Sequence, residues 1–165
     1  QGVMAHCYLR GIGCELDFAR SLEFARESSG RGSRYGQVTL GWLHCLGRGG
    51  LVVDHAQAVA FYRLAAAQGL DVAQFELGIM YHRGLGVAED RAEALRWYKL
   101  AAAQELGVAL CNVAAYYEHG HSVAANRAEA IRWCKRAAAA GHSGATWWYQ
   151  CAEVALHTLV MIGRY

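Results

Sequence analysis

The 165 residues are 55 % hydrophobic and 18 % charged, which is enough apolar material for a continuous core. The formal net charge is +2, with arginine interleaved with glutamate, so whole-molecule electrostatics give no reason to expect nucleic acid or an anionic membrane as a partner. No run of about 18 uninterrupted apolar residues occurs, so no membrane span is expected, and the absence of proline beside abundant Ala and Leu favours helices.

The N-terminal Gln1-Gly-Val-Met-Ala-His lacks the basic and apolar regions of a signal peptide. Gln1 is not an initiator, and the chain reads as a mature or trimmed piece that opens in the middle of a repeat. Residues 1–9 read as the end of a first helix, with Tyr8 followed by Gly11 and Gly13. A helix from about Asp17 to Ser29 follows, with Ser28 and Ser29 standing where later units carry paired alanines, and Gly30-Arg-Gly32-Ser33 makes a loose exit. The next two helices span about Tyr35 to Gly47 and Asp54 to Gln68. Helix pairs over 72–104 and 108–140 then follow in strict register.

Leu77 to Val113, Tyr81 to Tyr117, Gly84 to Gly120 and Trp97 to Trp133 are all steps of 36. A fixed period of that size signals a solenoid. Leu40 to Leu77 is a step of 37, and the extra residue is placed in Gly47-Arg-Gly49-Gly50-Leu51, a loop where one insertion costs little. The fold expected is all-α: a superhelical α/α solenoid of helix-turn-helix repeats with a C-terminal apolar helix. It forms a single domain over 1–165, with a partial repeat at 1–35, repeats at 36–72, 73–108 and 109–144, and a terminal helix at 145–162. Trp147, Trp148, Val154, Leu159 and Ile162 crowd nearly all sides of that helix. It reads either as a cap on the last repeat or as an oligomer or assembly contact, because a terminal cap needs a polar outer face.

Within a repeat, Ala73, Leu77 and Tyr81 share one face of the first helix, and Ala94, Trp97 and Ala101 share one face of the second. Those faces are expected to meet, with Gly78 allowing close approach and Trp97 and Tyr81 filling the space around it. Asp54, Asp90 and Asn126 stand at second-helix N-caps with Gln57, Glu93 and Glu129 three residues on, a capping-box arrangement. Gly69 and Gly141 suit a left-handed helix end, a pattern that Glu105 breaks.

The recurring Ala-x3-Leu-Gly-x2-Tyr-x2-Gly-x-Gly-Val, followed by Asp90, Ala94, Trp97-Tyr98 and Ala101-Ala102, resembles the Sel-like repeat family, a relative of the tetratricopeptide superfamily. The resemblance covers about 8–146 and is weakest over 8–35. It implies a right-handed α/α superhelix that acts as an adaptor for protein complexes, with no catalysis of its own.

In tetratricopeptide-like repeats the first helix lines a concave groove. By phase, its outward stripe here is Tyr35, Val38, Trp42 and Cys45, then Val72, Phe75, Ile79 and His82, then Val108, Cys111, Ala115 and Glu118. Such a groove suits the nonpolar face of a helix or an extended hydrophobic peptide rather than an acidic tail. Tight curvature that buries the stripe between neighbouring first helices is the alternative. Arg63, Lys99 and Lys135 lie in register on second helices and read as a solvated face, or else as contacts to an acidic partner.

No cofactor or metal site is expected. His119 and His121 lie near Cys111 and Cys134 in sequence, but no zinc-ligand spacing is present. Cys45 and His82 belong to different repeats, about 10 Å apart at ordinary helix spacing, which is too far for a nucleophile and its base. The six cysteines fall at different phases of the repeat, so they read as reduced core thiols. That favours a reducing compartment, although a membrane-enclosed one tolerates buried thiols too. The function expected is a non-enzymatic adaptor for a protein or peptide, with a peripheral subunit of a larger assembly as the alternative.

Overall fold

In the computed structural model, residues 1–13 and 15–141 are described, and they form eight helices. In chain order these are α1 (Gly2–Arg10), α2 (Phe18–Gly30), α3 (Arg34–Leu46), α4 (His55–Ala67), α5 (Asp71–Arg83), α6 (Arg91–Ala102), α7 (Gly107–His119) and α8 (Arg127–Ala139). No strand occurs among the described residues. The apolar helix expected at 145–162 lies outside them, as do Cys14 and Cys151. Two units are defined by the contacts: Gln1–Asp90, holding α1 to α5, and Arg91–Tyr165, whose described part holds α6 to α8.

The helices stop where the sequence supplies a residue that tolerates positive φ. First helices end on Gly11, Gly47, Gly84 and Gly120, all left-handed, each N–H donating back to a carbonyl four residues earlier. Second helices are followed by Gly32, Gly69, Glu105 and Gly141, with φ of 81°, 77°, 60° and 81°. Glu105 therefore takes the same left-handed conformation without a glycine's freedom, which stores strain at the end of α6.

Second helices start on a side-chain cap. Asp17 accepts from the Arg20 N–H at 3.0 Å, Asp54 from Gln57 at 2.9 Å and Asn126 from Glu129 at 3.1 Å. The reciprocal arm of the expected capping box does not form at Asn126. The Asn126 N–H donates to the Tyr117 carbonyl at 2.7 Å, and the Glu129 carboxylate holds Arg132 at 2.6 Å instead. The same closure recurs at every turn: the N–H groups of Asp17, Asp54 and Asp90 donate to the carbonyls of Tyr8, His44 and Tyr81. His44 and Asp54 are one residue further apart than the other three pairs, so the insertion sits in the 47–51 loop, where the sequence spacing placed it.

In the unit Gln1–Asp90, Ala5, Leu9, Leu22, Ala25, Leu40 and Leu43 form a buried cluster flanked by Phe18, Phe24, Trp42, Leu51 and Phe61. The Tyr62 ring lies flat against Gly41, where a Cβ would come 2.3 Å from Cε1, so the glycine is what lets α3 and α4 close. The space between second and first helices is filled by the residue after the expected one. Tyr62 and Tyr98 are buried, while Phe61 and Trp97 at the preceding phase are half-buried. Trp97 carries the Arg96 guanidinium 4.8 Å over its outer face, which explains why so large a ring stays partly at the surface.

Two of the serines that replace alanine in α2, Ser21 and Ser28, have satisfied hydroxyls. Ser21 Oγ donates to the Ala5 carbonyl at 2.8 Å and ties α2 to α1, and Ser28 Oγ donates back to the Phe24 carbonyl at 2.7 Å. The turns also lean on the preceding second helix. A Cβ on Gly49 would lie 2.7 Å from the Phe18 carbonyl oxygen, and one on Gly86 would lie 2.4 Å from the His55 backbone. In the unit from Arg91, Ser122 occupies that position and donates to the Arg91 carbonyl at 3.2 Å.

Candidate functional site

The first helices α1, α3 and α5 enclose an open cavity of about 110 Å³ in the unit Gln1–Asp90, lined by His6, Tyr35, Val38, Trp42, Leu70 and Val72. Four of these six belong to the stripe read from the sequence. Val38, 3 % exposed, forms the floor; Tyr35, 42 % exposed, stands at the rim. Trp42, Val72, Phe75, Ile79 and His82 are half-buried, as are Cys45, Cys111 and Glu118. Cys111 and Glu118 lie on α7, in the other unit.

The remaining wall, His6 and Leu70, was not singled out by phase. His6 comes from α1, whose helix is short and divergent, and its ring centroid lies 5.1 Å from that of Trp42. Burial and the neighbouring Arg10 both hold its pKa below the ordinary histidine value. Arg10 places its guanidinium 5.5 Å over the Trp42 ring. Trp42 Nε1 donates to Glu76 Oε1 at 2.8 Å, fixing the indole that forms the pocket wall.

Glu76 is a carboxylate drawn into this packing, and sequence reading missed it. Burial pushes its pKa above the ordinary range, against the opposing effects of the Trp42 hydrogen bond and Arg10. Its signal was present: Thr39, Glu76 and Asn112 put a polar residue at one phase of three successive first helices. Tyr62 is pushed up by burial first and then by Glu76 and Cys45, and its hydroxyl has no hydrogen-bond partner among the described residues.

Nothing in this arrangement resembles an activated nucleophile. Burial pushes the Cys45 and Cys111 thiols up, and Cys134 is pushed up to about 12 by burial, then by Cys111 and Glu118. Each shift disfavours the reactive thiolate. His119 and His121 ring centroids are 5.6 Å apart, and among the described residues no group of three or more His, Cys, Asp or Glu side chains is placed to hold a metal ion. Cys7, Cys45, Cys111 and Cys134 are free thiols. Among the described residues no helix is long and apolar enough to cross a membrane.

The basic side chains in register on second helices have structural partners. Arg63 donates to the Tyr81 hydroxyl at 2.8 Å and Lys99 to the Tyr117 hydroxyl at 3.0 Å, so each ties a second helix to the next first helix of its unit. Arg96 and Arg132 pair with Glu93 and Glu129 at 2.6 Å, three residues earlier on the same helix.

Repeated helix pairs with matching caps, left-handed glycine ends and turn closures define a helical-repeat protein of the solenoid class. The Sel1 repeat family matches residues 2–33, 35–70, 71–106 and 107–142, and the chain belongs to it. Among solved structures it is similar to a Sel1 repeat protein from Oxalobacter formigenes, with a TM-score of 0.83 at 23 % identity over 92 % of this chain and 61 % of that one. A protective antigen of uropathogenic Escherichia coli with the same repeat fold gives 0.81 at 31 % identity, covering 94 % of this chain and 33 % of that one. Helicobacter pylori cysteine rich protein B gives 0.62 at 15 % identity over 79 % of this chain and 93 % of that one. The chain thus spans less than two thirds of the first two proteins. No curated protein matches it. The all-α repeat fold and the family expected from the sequence are both borne out.

Proposed function

We propose that the chain is a non-enzymatic scaffold that docks a protein or peptide partner on the first-helix face of the unit Gln1–Asp90. Sel1 repeats generally serve as scaffolds for protein–protein interaction. The observation that carries the reading for this chain is the apolar cavity itself, with Val38 as its floor, Trp42 and Val72 as walls and an exposed Tyr35 at its mouth. Its volume is well below the roughly 300–1,000 Å³ of small-molecule sites, and it matches a single anchoring side chain. Phe75, Ile79 and His82 continue the stripe along α5, and Cys111 and Glu118 carry the equivalent phase of α7.

The test is a pair of variants read against peptides selected on the wild-type chain. Phe75→Glu with Ile79→Glu, and separately Val72→Glu, are expected to keep near-native circular dichroism and lose the selected peptides. Full binding by folded variants would place the partner surface elsewhere.

A further inference from the structure

The charges around the cavity bear on what kind of segment it takes, an inference that rests on the docking reading above. Two of its aromatic walls carry a stacked guanidinium: Arg10 lies 5.5 Å from the Trp42 ring centroid and Arg34 lies 5.3 Å from that of Tyr35. Neither arginine forms an ion pair within the described residues, and Arg34 makes only a long 3.4 Å contact to the Gln68 carbonyl. Exposed Arg26, Arg48, Arg83 and Arg127 likewise have no ion pair, whereas five others do. Arg20, Arg31, Arg96, Arg132 and Arg136 each lie within 4 Å of a carboxylate on their own or an adjacent segment.

No carboxylate among the described residues forms an ion pair with either arginine. Glu76 is half-buried and accepts the Trp42 indole N–H, and burial raises its pKa against the opposing effects of that hydrogen bond and of Arg10. Asp71 accepts from the Val72 N–H at 2.8 Å, at the first turn of α5. A guanidinium held near a ring can still offer N–H edges, and those edges match a carboxylate in two parallel hydrogen bonds. An apolar hole that fits one side chain is therefore walled by two aromatic rings that each have an exposed guanidinium close by.

We propose that this pocket takes one apolar side chain of an acidic peptide segment, with carboxylates flanking the anchor held by Arg10 and Arg34. The sequence alone pointed to a largely apolar groove and away from an acidic tail, because α1 was too divergent to place Arg10 and His6 on it. The long-range field of a net charge of +2 adds little, so the selectivity is local and short-ranged.

A random peptide library displayed on phage, panned on the full chain, tests the proposal. The expected winners carry a Leu, Ile, Phe or Met with Asp or Glu within two residues, and their affinity falls by about tenfold or more between low and high salt. Panning on the Arg10→Glu, Arg34→Glu double variant, with circular dichroism as the check on folding, is expected to switch the winners to Lys or Arg flanks. Apolar winners without acidic bias, insensitive to salt but lost in Val72→Glu, would overturn the acidic preference and leave the docking reading standing. Winners that bind Val72→Glu as well as wild type, or no enrichment at all, would overturn both. The salt series on the wild-type chain decides the matter even if the double variant fails to fold.

Discussion

Two glycines in the unit Gln1–Asp90 share a backbone conformation and differ in what surrounds them. Gly69 has φ +77° and nothing within 4 Å of where a Cβ would go; Gly86 has φ +68°, and its Cβ would meet the His55 carbonyl carbon and oxygen at 2.4 Å. Alanine at Gly69 therefore carries only the left-handed penalty, about 1 kcal/mol. At Gly86 the same penalty is joined by overpacking against the backbone at the start of α4, typically about 1–3 kcal/mol more. For a chain of this size 1 kcal/mol moves the melting midpoint by roughly 2–4 °C. Thermal melts of the two variants are thus expected to show a small drop for Gly69→Ala and one two to four times as large for Gly86→Ala. Hydrogen exchange on Gly86→Ala should show its extra opening concentrated in the 84–90 turn and the first turn of α4. Equal drops would refute the argument that the turn leans on the preceding second helix.

Replacing Glu105 by Gly removes the strain of a left-handed non-glycine residue; measured in high salt, where the exposed Arg136 ion pair is screened, the variant should gain about 0.5–1 kcal/mol in urea denaturation. No gain would mean that this helix end is unstrained. Ser21→Ala deletes a buried hydrogen bond between α2 and α1 and should lose about 1 kcal/mol in urea denaturation; an unchanged midpoint would show that the bond adds nothing to stability. Glu76 binds its proton more tightly in the folded chain than in the unfolded one, so its contribution is most favourable below the usual carboxylate range and declines as pH rises from there toward its raised pKa. Glu76→Gln, which keeps an acceptor for the Trp42 indole, should therefore match wild type near pH 4 and melt higher at pH 7. His6, whose pKa is lowered, produces the opposite trend below its ordinary value and is left in place in both proteins. A variant that melts lower at pH 7 would show that the ionised carboxylate is needed.

The repeat architecture was legible because the same residue types return at the same phase, and each has a local job that the structure shows. Asp17, Asp54 and Asn126 cap, the left-handed glycines stop helices, and the one-residue slip of register sits in the loop around Gly49. Phase reading failed where neighbouring positions compete for one space. Trp97 and Tyr98 differ by about 100° around the helix axis, and the smaller ring took the interior. It also failed for groups defined by contacts across repeats. Lys99 and Arg63 look like solvated cations until the tyrosine hydroxyls they bind are in place, and Glu76 looks like surface until Trp42 is seen to donate to it. Tyr35, Trp42 and Val72 were recognisable as one stripe from spacing alone. That they wall a cavity with His6 and Leu70 depends on the placement of α1 and the α4–α5 corner, which no period encodes.

The carbonyl clasp that shuts each turn also says where new material can be spliced in. Between His44 and Asp54 the clasp tolerates an added residue, and Gly50 at that bend has open space where a side chain would go. An epitope tag or dye-binding peptide grafted after Gly50 should ride outside the frame, giving a fixed handle for pull-down or single-molecule tethering that leaves the first-helix face untouched.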